Sequence, residues 1–188
     1  MPAVRQPMLN LPNAITVLRV LLIPVLAWLL VHERYAAACG VLALAAASDL
    51  VDGILARTLG QLTRFGAVLD PLADKFTMLT AVVFLAWQGV LPPWLAAAIV
   101  LRDVVIVSGA TAYHFLVGKV EMAPTLLSKA NTVLEFVAIV LTLAHAARWV
   151  DAGAVLPALY VATLASVIVT GAQYIVVWGL KAARAHRQ

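Results

Sequence analysis

Six apolar runs, at roughly 14–32, 35–59, 66–88, 93–117, 124–147 and 154–180, take up most of this chain. A hydrocarbon core ~30 Å thick takes about 20 helical residues to cross, and each run is of that order. Short breaks separate them: HER at 32–34, TLGQLTR at 58–64, QGVLPP at 88–93, VGKVEMAP at 117–124 and RWVDAG at 148–153. Connections this short make sequence neighbours antiparallel neighbours. The expected fold is all-α, an integral membrane bundle of six transmembrane helices forming one domain over residues 1–188.

Composition agrees. The chain is 64% hydrophobic and 12% charged, where soluble domains average about 45–50% apolar and about 25% charged. A soluble protein of 188 residues has no core large enough to hide that surface. The net charge of +4 does not indicate nucleic acid, because the basic residues are scattered at helix ends and form no stripe. Cys39 is the only cysteine, so no internal disulfide forms, and its apolar surroundings predict a buried, inert thiol.

The N-terminal region has features of a signal peptide: Arg5 precedes the run from Ile15 to Val31, and AAACG at 36–40 resembles a lipoprotein cleavage site. However, Arg19 interrupts the run, and His32, Glu33 and Arg34 separate it from Cys39. The expectation is a retained first helix. Orientation follows from the Lys and Arg residues. Arg5, Arg64, Lys119, Lys181, Arg184 and Arg187 fall in the termini and even-numbered loops, and only Arg34 and Arg148 in the odd-numbered ones. Both termini, and the turn at 58–64, are therefore expected on the cytoplasmic side.

That turn is flanked by an unusual stretch, SDLVDGILARTLGQLTRFGAVLDPLADKF at 48–76, with Asp49, Asp52, Asp70 and Asp74. Carboxylates near lipid are costly unless they pair, hold a metal or line a polar cavity. At about 100° per residue, Asp52, Gly53 and Ala56 lie at about 300°, 40° and 340° from Asp49, on one helix face. Gly66, Asp70 and Asp74 advance by about 40° each and share another. A short turn folds the two faces together beside Arg57. Four adjacent carboxylates repel one another unless cations sit between them. An all-oxygen donor set without histidine or cysteine favours Mg²⁺, or Mn²⁺, over zinc. Magnesium held this way completes its shell with water and phosphate oxygens, and the small residues leave room for a ligand against the backbone. Helix packing also explains small residues, and an aspartate paired with Arg57 or Lys75, or an ion pathway, explains single carboxylates.

Written out, the stretch is D-x2-D-G-x2-A-R-x8-G-x3-D-x3-D with every fixed position filled. It resembles the signature of the CDP-alcohol phosphotransferases, six-helix integral membrane enzymes. That resemblance implies a cytidine diphosphate-linked donor, displacement of CMP by an alcohol, two divalent metals and a homodimer. It makes Asp49, Asp52 and Asp70 metal ligands and Asp74 both a ligand and the general base. It also sets Gly53, Ala56 and Gly66 beside the CDP moiety and Arg57 on its phosphates. The opening LPNAITVLRVLLIP is similar to the family's, and its Asn13, Thr16 and Arg19 recur at three-residue intervals towards the nucleotide end. A polar residue at a helix start is also often a simple cap.

The second half reads LRDVVIVSGATAYHFLVG and then APTLLSKANTVLEF. Arg102-Asp103 followed by P-T-x2-S-K-x-N-T from Pro124 to Thr132 resembles the mitochondrial-type cardiolipin synthases. They join CDP-diacylglycerol to phosphatidylglycerol. Phosphatidylglycerophosphate synthases, whose acceptor is glycerol 3-phosphate, are the neighbouring alternative. These tend to carry Arg-Glu at the first position and a more basic segment after it. A phosphate dianion wants several cationic partners, and Gly109 to Val117 holds no Lys or Arg. Arg102 and Lys129 are the candidate contacts for the acceptor's phosphate; each can equally snorkel or pair with Asp103 or Glu135. The expected enzyme is a phosphatidyltransferase of a bacterial cytoplasmic membrane with its site facing the cytoplasm. A small cation transporter is the reading from another class, and residues 95–188 hold no second aspartate pair to mirror the first. His114 and His145 stand alone on apolar segments, and Trp87, Trp94 and Trp149 suit interfacial anchoring.

Overall fold

The computed structural model describes residues 11–59, 64–116 and 125–185, and the side chains of residues 17–48, 72–111 and 125–177. Among them the chain is all-helical, with no strand: α1 (Leu11–Val31), α2 (Tyr35–Leu59), α3 (Arg64–Trp87), α4 (Pro93–Leu116), α5 (Leu126–Ala146) and α6 (Leu156–Ala185). The apolar runs predict these six helices to within a few residues. Two ends differ more: α1 begins at Leu11, and α6 continues to Ala185. Pro12 sits in the first turn of α1, where proline is tolerated, and α6 runs on through residues 181–185, which hold no proline or glycine. Pro24 is tolerated inside α1.

The tight connections have a common ending. Glu33 and Arg148 adopt left-handed backbone, with φ of 56° and 59°. After α1 the Glu33 amide donates to the Leu30 carbonyl and the Arg34 amide to Leu29, both at 2.8 Å. After α5 the Arg148 amide donates to His145 and the Trp149 amide to Ala144, both at 2.9 Å. This is the Schellman pattern, which satisfies the orphan carbonyls of a helix end and usually carries glycine at the left-handed position. Gly89, with φ of 73°, is such a glycine at the end of α3. The other two sites hold charged residues that sequence patterning does not flag.

The chain divides into two compact units. The first comprises residues up to Leu85 together with Leu143–Val150. In it α1 packs on α2, and the buried Leu26 and Leu30 of α1 and Ala38, Leu42 and Ala45 of α2 recur at spacings of three and four that keep each set on one face. Cys39 is buried there and free, as expected. On α3, Ala73, Thr77, Ala81, Val82 and Leu85 form the buried face.

The second unit, Ala86–Thr142 with Asp151–Gln188, is built on α4 packed against α6. Its interior is unusually polar. Alongside Leu95 and Ile99, α4 buries Arg102; α5 buries Asn131, Glu135 and Thr142; α6 buries Tyr160, Thr163 and Thr170. Thr142 and Tyr160 share a hydrogen bond of 2.8 Å, and Asn131 Nδ2 donates to Glu135 Oε1 at 2.6 Å. Meanwhile Leu101, Val104, Val107, Val161, Ile168 and Ile175 are exposed. Polar groups inside and apolar ones outside reverse the arrangement of a water-soluble domain and suit a lipid surround.

Among the described residues, three helices are long and apolar enough to cross a membrane, over Pro93–Thr111, Leu126–Ala146 and Leu156–Val177, and Val17–Val31 and Tyr35–Ser48 are shorter apolar stretches. Trp28, Trp87, Trp94 and Trp149 are all exposed near helix ends, the placement expected of aromatic side chains at a membrane surface.

Candidate functional site

The four aspartates fall where two helices adjoin a short connection. Asp49 and Asp52 belong to the last turns of α2, and Asp70 and Asp74 to the first half of α3. The backbone is helical through both stretches, so the three- and four-residue spacings keep each pair on one face. The side chains of Asp49, Asp52, Gly53, Ala56, Arg57, Gly66 and Asp70 lie outside the described residues, as do those of Asn13 and Thr16 on α1. Their expected roles in holding metal or CDP rest on the sequence.

Asp74 is described, and its surroundings are informative. Arg19 of α1 donates from Nη1 to Asp74 Oδ1 at 2.8 Å, across 55 residues of sequence. The Arg19 side chain is fully buried, whereas that of Asp74 is 47% exposed. The pairing follows from two helix faces. Arg19 lies on the α1 face that also carries Leu26 and Leu30, seven and eleven residues on, and Asp74 bears the same relation to Ala81 and Leu85 on α3. Each charged group thus continues a buried apolar stripe. A buried guanidinium needs such a partner. The sequence offers Arg57 and Lys75 as partners for an aspartate here; Arg19 is a hydrogen-bonded partner of Asp74 that it does not point to, and the Arg57 side chain lies outside the described residues. The charge inside the first apolar run was the available signal, but its partner was not identifiable from spacing.

The donor chemistry fits a hard divalent cation: four carboxylates on two helices, with oxygen as the only ligand atom. Among the described residues no cluster of three or more acidic, histidine or cysteine side chains forms a metal site, and Asp74 is the one member of the aspartate set included there.

The candidate acceptor residues lie in the second unit. Arg102 is 7% exposed, donating to Asp103 Oδ1 from Nη1 at 3.0 Å and to Ser128 Oγ from Nη2 at 3.2 Å. Pairing with Asp103, one of the alternatives raised by the sequence, is present together with the contact to Ser128. Lys129, the next residue on α5, is exposed. The structure therefore buries Arg102 in a polar cluster and leaves Lys129 on the surface.

Among the described residues the chain is all-helical, with spans of membrane-crossing length and with the four aspartates on the adjoining stretches of α2 and α3. The family model described as CDP-alcohol phosphatidyltransferase matches residues 9–178. The chain belongs to that family.

Its relatives carry two different names. A Pseudomonas fluorescens protein named CDP-diacylglycerol–glycerol-3-phosphate 3-phosphatidyltransferase is 41% identical over 143 residues, which is 73% of each chain. Human cardiolipin synthase (CMP-forming) is 31% identical over 151 residues, 72% of this chain and 50% of that protein. A rice chloroplastic enzyme with the same name as the Pseudomonas protein is 42% identical over 106 residues, 56% of this chain. The match spans 32% of the rice protein's length.

Proposed function

We propose that this protein transfers a phosphatidyl group from CDP-diacylglycerol to phosphatidylglycerol, giving cardiolipin and releasing CMP. The observation that carries the transferase reading is the filled aspartate signature at the α2–α3 ends of a chain belonging to this family. Six helices cross the membrane as one domain with both termini in the cytoplasm, and the working unit is a homodimer in a bacterial cytoplasmic membrane. The spans of α4, α5 and α6, and the excess of Lys and Arg in the termini and even-numbered loops, support the membrane topology, and the homodimer follows from the resemblance alone.

Asp49, Asp52, Asp70 and Asp74 would hold two Mg²⁺ ions; when bound, these neutralise the diphosphate and stabilise the departing CMP. In the reaction the acceptor's hydroxyl oxygen bonds to the phosphorus attached to diacylglycerol. The bond from that phosphorus to the CMP oxygen breaks, and Asp74 takes the hydroxyl proton. Its partial exposure leaves the carboxylate accessible, while Arg19 fixes its orientation. Gly53, Ala56 and Gly66 leave space for the CDP group, Arg57 contacts its phosphates, and Asn13 and Thr16 approach its nucleotide end.

The Arg102–Asp103 pair favours phosphatidylglycerol as acceptor. Asp103 offsets much of the charge on Arg102, and a phosphodiester with one negative charge needs less cationic surplus than a phosphate monoester dianion. The second reading, glycerol 3-phosphate as acceptor, is favoured by the identity of 41% to the Pseudomonas protein. Ion transport is the remaining alternative. Purified protein given Mg²⁺, CDP-diacylglycerol and each acceptor in separate reactions decides among them. Cardiolipin formed only with phosphatidylglycerol is the expected product. Phosphatidylglycerophosphate formed only with glycerol 3-phosphate would replace the acceptor, and Mg²⁺-dependent ion flux without CMP would replace the transferase reading. Chelation by EDTA is expected to stop turnover, with recovery on adding Mg²⁺ or Mn²⁺.

A further inference from the structure

The Asp74 carboxylate is claimed from two sides. The aspartate set of α2 and α3 fits a hard cation, and Asp70 and Asp74, four residues apart on one helix, share the α3 face that belongs to that set. From α1, the Arg19 guanidinium holds Asp74 Oδ1 at 2.8 Å. The Arg19 side chain is 0% exposed and lies in the first compact unit, which also contains both aspartate-bearing stretches. Its charge is permanent, because guanidinium is not deprotonated in proteins, and burial leaves that charge little screened by salt.

Arg19 acts on a ligand of Asp74 in two opposing ways. Holding Asp74 still favours any ligand that needs the carboxylate in that position. However, the guanidinium also occupies a carboxylate oxygen and repels a second cation approaching it. An aspartate has only two side-chain torsions, so restricting them is worth a few-fold at most. A hydrogen bond between charged groups is worth about tenfold or more. Competition and repulsion therefore outweigh preorganisation. We propose that Arg19 is an internal counter-ion that lowers the affinity of the aspartate set for a divalent cation. This rests on reading those aspartates as a metal site, and it gives Arg19 a role beyond orienting Asp74. With affinity for the bare ion held down, phosphate oxygens of a bound donor supply much of the metal's hold. The coupling is reciprocal: a cation at the set weakens the Arg19–Asp74 pair by the same factor by which Arg19 weakens the cation.

The test is equilibrium binding of Mn²⁺ to the full-length protein in detergent without substrate, read from the loss of the free ion's electron paramagnetic resonance signal. Arg19→Met is expected to bind Mn²⁺ about 10-fold more tightly than wild type, even though its turnover falls. Arg19→Lys keeps the charge and is expected within about threefold of wild type. Lys75→Met removes a partly exposed, better screened charge about 100° round α3 from Asp74, and is also expected within about threefold. Thermal unfolding gives a second readout: one Mn²⁺ concentration raises the unfolding temperature of Arg19→Met more than that of wild type. If Arg19→Met does not fold, the uncharged Arg19→Gln carries the same expectation.

Equal or weaker Mn²⁺ binding by the uncharged variants, while Asp74→Asn still loses Mn²⁺, overturns the counter-ion role and leaves the metal site intact. A gain in Lys75→Met as large as that in Arg19→Met also overturns it, because any nearby positive charge then has the same effect. Mn²⁺ binding that Asp49→Asn and Asp74→Asn both leave unchanged overturns the metal reading, and the inference with it.

Discussion

Asp74→Asn loses about 10²–10⁴-fold in the rate of CMP release, the range spanned by removing a general base, while the protein remains folded. Asparagine has nearly the same shape, and its Oδ1 can still accept the Arg19 Nη1 hydrogen bond that spans 2.8 Å in the wild type. What disappears is the negative charge and the capacity to take a proton from an alcohol. The measurement is initial-rate CMP release, together with thermal unfolding in detergent. A large fall in rate with little change in unfolding temperature is expected. Full activity would remove Asp74 from the mechanism, and loss of fold would make its role structural.

Arg19→Met separates positioning from stability. Methionine fills a similar elongated space without charge, and replacing a buried ionic side chain by a packed apolar one is often neutral or stabilising. Asp74 is 47% exposed, so water solvates the carboxylate that remains. Unfolding is therefore expected within about 1–2 kcal/mol of wild type, well short of the ~3–5 kcal/mol for breaking a fully buried pair. Turnover is expected to fall about 10²-fold, because the carboxylate proposed as the general base is no longer held in place. Arg19→Lys is expected to lie between, since an ammonium lacks the planar fork of guanidinium. Combined with Asp74→Asn, Arg19→Met should add little further loss, because both changes act on one group. Normal turnover with sharply lowered stability would make Arg19 a purely structural residue.

The contrast between these residues and the rest of the fold has a physical basis. Apolar runs and their breaks predict the six helices because each run is long and apolar and ends at a polar, proline or glycine break. The aspartate signature is readable because its spacings are local, within two adjoining helices. The partner of Arg19 is not, because a contact across 55 residues depends on how α1 and α3 pack. Glu33 and Arg148 escape notice because left-handed helix ends are usually recognised by glycine. Gln173 and Tyr174 are uncharged residues within an apolar run, and their reach to Thr125 and Ser128 exists only once α6 lies beside α5. Arg102 shows both sides of this. Its place in an acceptor signature is visible in the sequence, but its burial and its bond to Ser128 come from the fold.

The most direct test of the transferase claim is the stoichiometry of CMP release by the purified protein in Mg²⁺ and CDP-diacylglycerol, with and without a glycerol-phosphate acceptor. The expected result is one CMP for each new phospholipid, only when acceptor and metal are both present, and none from Asp74→Asn. CMP release that ignores the acceptor, or that Asp74→Asn performs as fast as wild type, would contradict it.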